Sequence, residues 1–191
     1  GHQQSFKQIR LNPARRRDTR ARLQNHCHPL VRSEERLFAG VHQYRHDYAI
    51  APPAGTLLDQ LVKRGDEVVS VGKIRDIFDG QGIGRSNPTG SNREGLAKTT
   101  ELVAAHGHEA IVFSNLVDFD MLYGHRRDPK GYRGSLEEFD RGLPELTSAL
   151  GPRDVLFVTA DHGNDPTFRG TDHTREYIPL VVHGKSVRPV D

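Results

Sequence analysis

Three short stretches of the chain gather side chains that bind metal ions. The first runs Asp118-Phe119-Asp120-Met121-Leu122-Tyr123-Gly124-His125-Arg126-Arg127-Asp128. The second is Asp161-His162-Gly163-Asn164-Asp165, and the third is Thr171-Asp172-His173-Thr174-Arg175. Carboxylate oxygen with imidazole nitrogen is the donor set of Zn2+ or Mn2+, whereas Ca2+ takes oxygen alone. Thiolate ligation is excluded from these stretches, because the single cysteine, Cys27, lies elsewhere. Asp161 and His162 are informative as neighbours. Consecutive side chains leaving a strand point to opposite sides, so one backbone position can serve two ions. Two ions close together can clamp the attacking and leaving oxygens of a phosphoryl transfer. The guanidiniums of Arg126, Arg127 and Arg175 allow two roles, bidentate binding of phosphate or holding the carboxylates in place. Gly124 and Gly163, beside the histidines, permit close approach of the backbone.

The elements that must position these stretches begin near Tyr48. Residues 56–63 (TLLDQLVK) have the spacing of a short amphipathic helix, preceded by Pro52-Pro53 and stopped by Gly65. Residues 67–71 (EVVSV) are a β-branched run ending in Gly72, which predicts a buried strand. The glycines and proline of 79–92 predict a loop. A helix is expected from Asn92, as its cap, to about His106, and a strand over 110–117. A second long helix is expected over 135–150, then strands over 155–159 and 178–182. Alternating strands and helices predict an α/β fold with a mostly parallel sheet and helices on its faces. In such sheets ligands bind beyond the carboxyl ends of the strands, and the metal-type residues stand there.

These residues also carry a resemblance. NLVDFDMLYGHRRDPKGY (115–132) and TADHGNDPTFRGTDHTREYIPLVV (159–182) resemble the two signature blocks of phosphopentomutases. ADHGN alone is shared with cofactor-independent phosphoglycerate mutases and other alkaline phosphatase superfamily members. The DFDxxYGHRRD block and the GTDHTRE ending select the pentomutase branch. RHDYAIAPP (45–53) and VVSVGKIRDIFDGQGI (68–83) are similar to that family as well. The resemblance implies an alkaline phosphatase-like core. It implies that Asp120, His125 and His173 hold one manganese ion and Asp161 and His162 the other, with Mg2+ or another divalent ion as substitute. Lys73 would contact a substrate phosphate, while for Arg126 and Arg175 phosphate binding and support of the ligands both stay open. The implied reaction interconverts (deoxy)ribose 1-phosphate and 5-phosphate through a phosphothreonine, with a pentose bisphosphate as activator.

The resemblance further implies a fragment. Family members are longer, and the part bearing the threonine nucleophile and an aspartate ligand has no match in this sequence, nor has the extreme C-terminus. No catalytic nucleophile is therefore expected here, and the isolated chain is expected to be inactive as a mutase. Residues 1–50 would be a remnant of an inserted cap domain and 51–191 the core, although residues 1–44 lack the strand pattern of a cap. Residues 1–45 hold ten Lys/Arg against three Asp/Glu, while the whole chain has a formal charge of +2. A basic leader can bind nucleic acid, but arginine clusters without interleaved aromatics argue against that partner for residues 7–45. Mean hydropathy is −0.65 and no apolar run is long enough for a membrane span. One cysteine and no leader-like stretch make the cytoplasm the expected compartment. A phosphatase or sulfatase relative with a different substrate is the alternative reading.

Overall fold

Glu-Val-Val-Ser-Val offers consecutive apolar or small residues, a pattern that only a strand covered on both faces can bury. In the computed structural model, which describes residues 50–105 and 110–188, these residues form strand β1 (Glu67–Val71), buried from Val68 onward. Alternation then divides the core. Val68 packs with Leu58 and Leu61 of helix α1 (Leu57–Arg64), joined by Phe78 and Ile83. Val69 and Val71 face the other way, against Leu102 of helix α3 (Asn92–Ala105) and Val112. A helix on each face of one strand is the α/β layering read from the sequence. The expectations for residues 1–50 as a cap remnant and for 7–45 as a basic module lie outside the described residues, as do 106–109, where α3 was expected to end.

Local chemistry sets the helix ends. The hydroxyl of Thr56 accepts from Asp59 N (3.2 Å) while Asp59 Oδ2 accepts from Thr56 N (2.9 Å), a reciprocal capping box at the start of α1. Gly65 ends α1 at φ 95°, a left-handed conformation that glycine adopts without steric cost. Helix α3 begins with Ser91 as its cap, since Glu94 N donates to Ser91 Oγ (3.2 Å). Asn92, expected in that role, is instead the first helical residue. Helix α4 (Pro129–Ala149) starts six residues earlier than the sequence suggested, because Asp128 accepts from Gly131 N (2.9 Å) and Pro129 occupies the first turn.

Strand β1 is central in a three-stranded parallel sheet of order β2-β1-β3, with β2 at Arg85–Asn87 and β3 at Ala110–Ser114. Val69 pairs with Arg85 on one side and Val112 on the other. The stretch expected to be all loop thus contains β2, whose Arg-Ser-Asn sequence has no strand-like pattern. A short helix, α2 (Ile74–Ile77), also follows β1.

The last two strands depart from expectation. Strand β4 (Leu156–Thr159) and strand β5 (Leu180–His183) form a separate two-stranded ribbon, and β5 runs antiparallel to β4, with Thr159 opposite Leu180. An apolar run such as Ile-Pro-Leu-Val-Val encodes burial, not direction. The ribbon leaves Phe157, Leu180 and Val181 exposed. Among the described residues no helix is long and apolar enough to cross a membrane.

Candidate metal centre

Beyond β3 the chain enters a π-helical turn, Phe119–Gly124. Its signature is a hydrogen bond across five residues, from His125 N to Asp120 O (2.9 Å). In an α-helix, residues five apart diverge by about 140° around the axis. The wider π turn returns them to one side. Asp120 and His125 consequently face each other, with Asp120 Oδ2 3.1 Å from His125 Nε2.

The third residue arrives from the connection between β4 and β5. Gly163 and Thr174 form an isolated antiparallel bridge, with Thr174 N donating to Gly163 O (3.1 Å). That pairing lays the rings of His162 and His173 face to face, their centroids 3.5 Å apart. His173 Nε2 then lies 3.4 Å from Asp120 Oδ1 and 3.2 Å from His125 Nε2. One ligand atom each from Asp120, His125 and His173 falls within 4.8 Å of the others.

The donor chemistry fits a divalent cation. His125 Nδ1 is engaged with the carbonyl of Thr171 (2.5 Å), which fixes that nitrogen as the donor and turns the Nε2 lone pair toward Asp120 and His173. Two imidazole nitrogens and a carboxylate converging in this way match a first-row metal ion.

The other expected residues take different positions. His162 stacks on His173 and is partly buried, while the side chain of Asp161 is 74% exposed, with Oδ1 3.7 Å from His162 Nε2. Among the described residues this pair does not join a three-ligand cluster. Lys73 follows the C-terminal end of β1, at the sheet edge from which the segment leading to Asp118 also departs. Arg126 and Arg175 are exposed, and neither shares in the hydrogen bonds joining the loops.

Of that network Asn164 escapes a search for ligands, whereas Arg127 is one of the guanidiniums the sequence offers for phosphate or for holding the carboxylates. Asn164 donates through Nδ2 to Asp120 Oδ1. Arg127 donates to Asn164 Oδ1 (2.7 Å) and to main-chain carbonyls of both loops. The available signal was Asn164 placed two residues after Asp161-His162, in reach of the same centre. Gly124 is required beside it, since a Cβ there would stand 2.3 Å from Asn164 Nδ2. Two acidic residues of the ligand-rich stretches are structural: Asp128 caps α4, and buried Asp118 accepts from Asn92 N (2.7 Å). Asp165 is held below the ordinary carboxylate range by the Thr167 hydroxyl and amide, with a smaller contribution from Arg127. The phenol of Tyr132 is pushed up by burial and then by the charge of Asp120.

Comparison with known proteins identifies the family. The model of the metalloenzyme superfamily matches residues 43–191. The chain is 54% identical to a phosphopentomutase of Symbiobacterium thermophilum over 145 residues, covering 76% of this chain and 36% of the relative. It is 49% identical to a phosphopentomutase of Alkaliphilus oremlandii over 144 residues, covering 75% and 37% respectively. The chain thus spans little more than a third of the length of these relatives. The structure of the PH0037 protein from Pyrococcus horikoshii matches with a TM-score of 0.55 at 20% identity, over 66% of this chain and 35% of that one, a likeness of fold alone. With a model matched over most of its length and a convergent ligand set inside the matched region, the chain belongs to the metalloenzyme superfamily.

Proposed function

We propose that this chain is the metal-binding part of a phosphopentomutase, an isomerase interconverting (deoxy)ribose 1-phosphate and (deoxy)ribose 5-phosphate. The observation that carries the reading is the convergence of Asp120, His125 and His173 in a chain about half identical to phosphopentomutases. In this reading those three residues hold one Mn2+, with Mg2+ able to replace it. Asp161 and His162 contribute to a second ion, whose remaining ligands and the threonine nucleophile belong to the part of the relatives that this chain does not match. A bound divalent ion supplies a Lewis acid that neutralises charge on a phosphoryl oxygen.

The chain's own residues do the positioning. Thr171 orients the His125 ring, and Asn164 occupies Asp120 Oδ1. Lys73 offers an ammonium to the sugar phosphate, and a pentose bisphosphate primes the threonine. The cytoplasm, where phosphorylated sugars are retained, is the compartment of this reaction.

Titration calorimetry with Mn2+ on the full chain tests the site. The expected result is one weakly held ion per chain, lost in the His125→Ala, His173→Ala double variant. Equal binding by both proteins overturns it. Incubation with ribose 1-phosphate tests the placing of the covalent step: no 5-phosphate is expected from this chain alone, and isomerisation by it would show that the nucleophile lies within these residues.

A further inference from the structure

The side chain of Arg127 joins the segments that bear the candidate ligands. Its Nη1 donates to Gly124 O (3.1 Å), Asn164 Oδ1 (2.7 Å) and Asp165 O (2.8 Å). Its Nη2 donates to Asp172 O (2.5 Å), and its Nε donates to Gly170 O. One guanidinium therefore ties the end of the π turn to both ligand-bearing parts of the β4–β5 connection. The backbone of Arg127 is left-handed, at φ 53°, a conformation that non-glycine residues seldom adopt and that persists where the surroundings impose it.

Each acceptor leads to a ligand. Because Arg127 offers only donors, Asn164 must turn its Oδ1 toward the guanidinium, and its Nδ2 is thereby aimed at Asp120 Oδ1. The carbonyls of Gly170 and Asp172 flank Thr171, whose own carbonyl holds His125 Nδ1. Asp172 immediately precedes His173. Fixing these two carbonyls sets the main chain from which one ring is oriented and the other projects.

We propose that Arg127 is a positioning residue of the metal centre, setting Asp120 through Asn164 and setting His125 and His173 through the 170–172 backbone. The proposal rests on the reading that Asp120, His125 and His173 hold a divalent ion. It assigns Arg127 to neither substrate phosphate nor bulk stability. A lysine, with one compact ammonium, cannot span these acceptors, so keeping the positive charge does not restore the function.

The test measures Mn2+ affinity by calorimetry and the visible spectrum of the Co2+-loaded full chain, alongside urea midpoints of the metal-free proteins. Arg127→Lys and Asn164→Ala are each expected to weaken Mn2+ about 10- to 100-fold, the usual effect of losing an outer partner of a metal ligand. Both are expected to alter the Co2+ spectrum. If Arg127 acts on Asp120 through Asn164, the combined variant loses less affinity than the product of the single losses. Wild-type affinity and spectrum in Arg127→Lys overturn the proposal, as does a loss confined to the urea midpoint. Should Arg127→Lys not fold, Asn164→Ala decides, because it leaves the guanidinium on its carbonyls: unchanged affinity there overturns the relay. The His125→Ala, His173→Ala variant separates the two readings. If it still binds Mn2+ the metal site itself is wrong, whereas if it does not and Arg127→Lys binds normally, only the positioning role fails.

Discussion

Asn92 and Asp118 hold each other across two elements. Asn92 N donates to Asp118 Oδ2 (2.7 Å), and Asp118 N donates to Asn92 Oδ1 (2.9 Å). Both residues are buried, and Asn92 Nδ2 also reaches Ser135 Oγ (3.4 Å) on α4. The carboxylate satisfies an otherwise unpaired amide at the N-terminus of α3, where the helix dipole favours negative charge. Asp118 is thus the joint from which the π turn departs, two residues before Asp120.

Replacing Asp118 by alanine should therefore cost stability and not ligation. Leaving the Asn92 amide buried and unpaired is expected to cost about 1–3 kcal/mol, read from the urea midpoint of the metal-free chain. Manganese stoichiometry by calorimetry should be unchanged. Loss of the ion in a variant that keeps its fold would make Asp118 a ligand and contradict this assignment.

Gly124→Ala should disturb the centre through Asn164. The added carbon would stand 2.3 Å from Asn164 Nδ2 and 2.7 Å from its Cγ, so the amide must move away from Asp120. The expected outcome is a destabilisation of about 1–3 kcal/mol, typical of overpacking, together with roughly tenfold weaker Mn2+ binding. Normal calorimetry with a normal melting curve would show that the loop yields freely.

The core offers a control remote from the chemistry. Leu102 is 1% exposed and packs on Val69 and Val71, so Leu102→Ala should lose about 2–5 kcal/mol of stability. While the variant remains folded, its Mn2+ affinity should match that of the parent. A tenfold change in affinity would reveal that the central sheet and the metal centre are coupled.

A dependence on pH follows from the capping box of α1. The carboxyl of Asp59 is held below its ordinary value of 3.8, chiefly by the Gln81 side chain and then by Thr56 and Gly55. A depressed folded pKa means the contribution is complete above the ordinary value and fades as pH falls through the lowered one. Comparing urea midpoints of wild type and Asp59→Asn, the wild-type advantage should be constant between pH 5 and pH 7, as carboxylates titrate near about 4, and should narrow below that. An advantage that grew on acidification would refute the assignment.

The amount legible in the sequence varied with the physics involved. Strand β1 could be read because Val68, Val69 and Val71 must all be buried, and α1 because Thr56 and Gly65 mark its ends. Strand β2 could not, since Arg85-Ser86-Asn87 is recruited by main-chain pairing with β1, which side chains do not advertise. The direction of β5 escaped for a related reason: it depends on how the Gly163–Thr174 bridge folds the intervening chain back. At the centre, residue types marked the three ligand-rich stretches, but singling out Asp120, His125 and His173 within them rested on the family resemblance, since Asp118 and Asp128 of the same stretches are structural. The π turn that makes a five-residue spacing work leaves no periodic trace. Nor does composition show that Arg127, and not its neighbour Arg126, turns toward the loops on a left-handed backbone.

The β4–β5 ribbon bears on how the chain should behave as a solute. It presents Phe157, Leu180 and Val181 to water at 64%, 70% and 56% exposure, on a polypeptide whose formal charge is only +2. So small a net charge gives little mutual repulsion between molecules, and unpaired strand edges are templates for further pairing. Added salt screens the repulsion that remains. The ribbon whose connection carries His173 to its place beside Asp120 should therefore also limit the concentration at which the solution stays monodisperse.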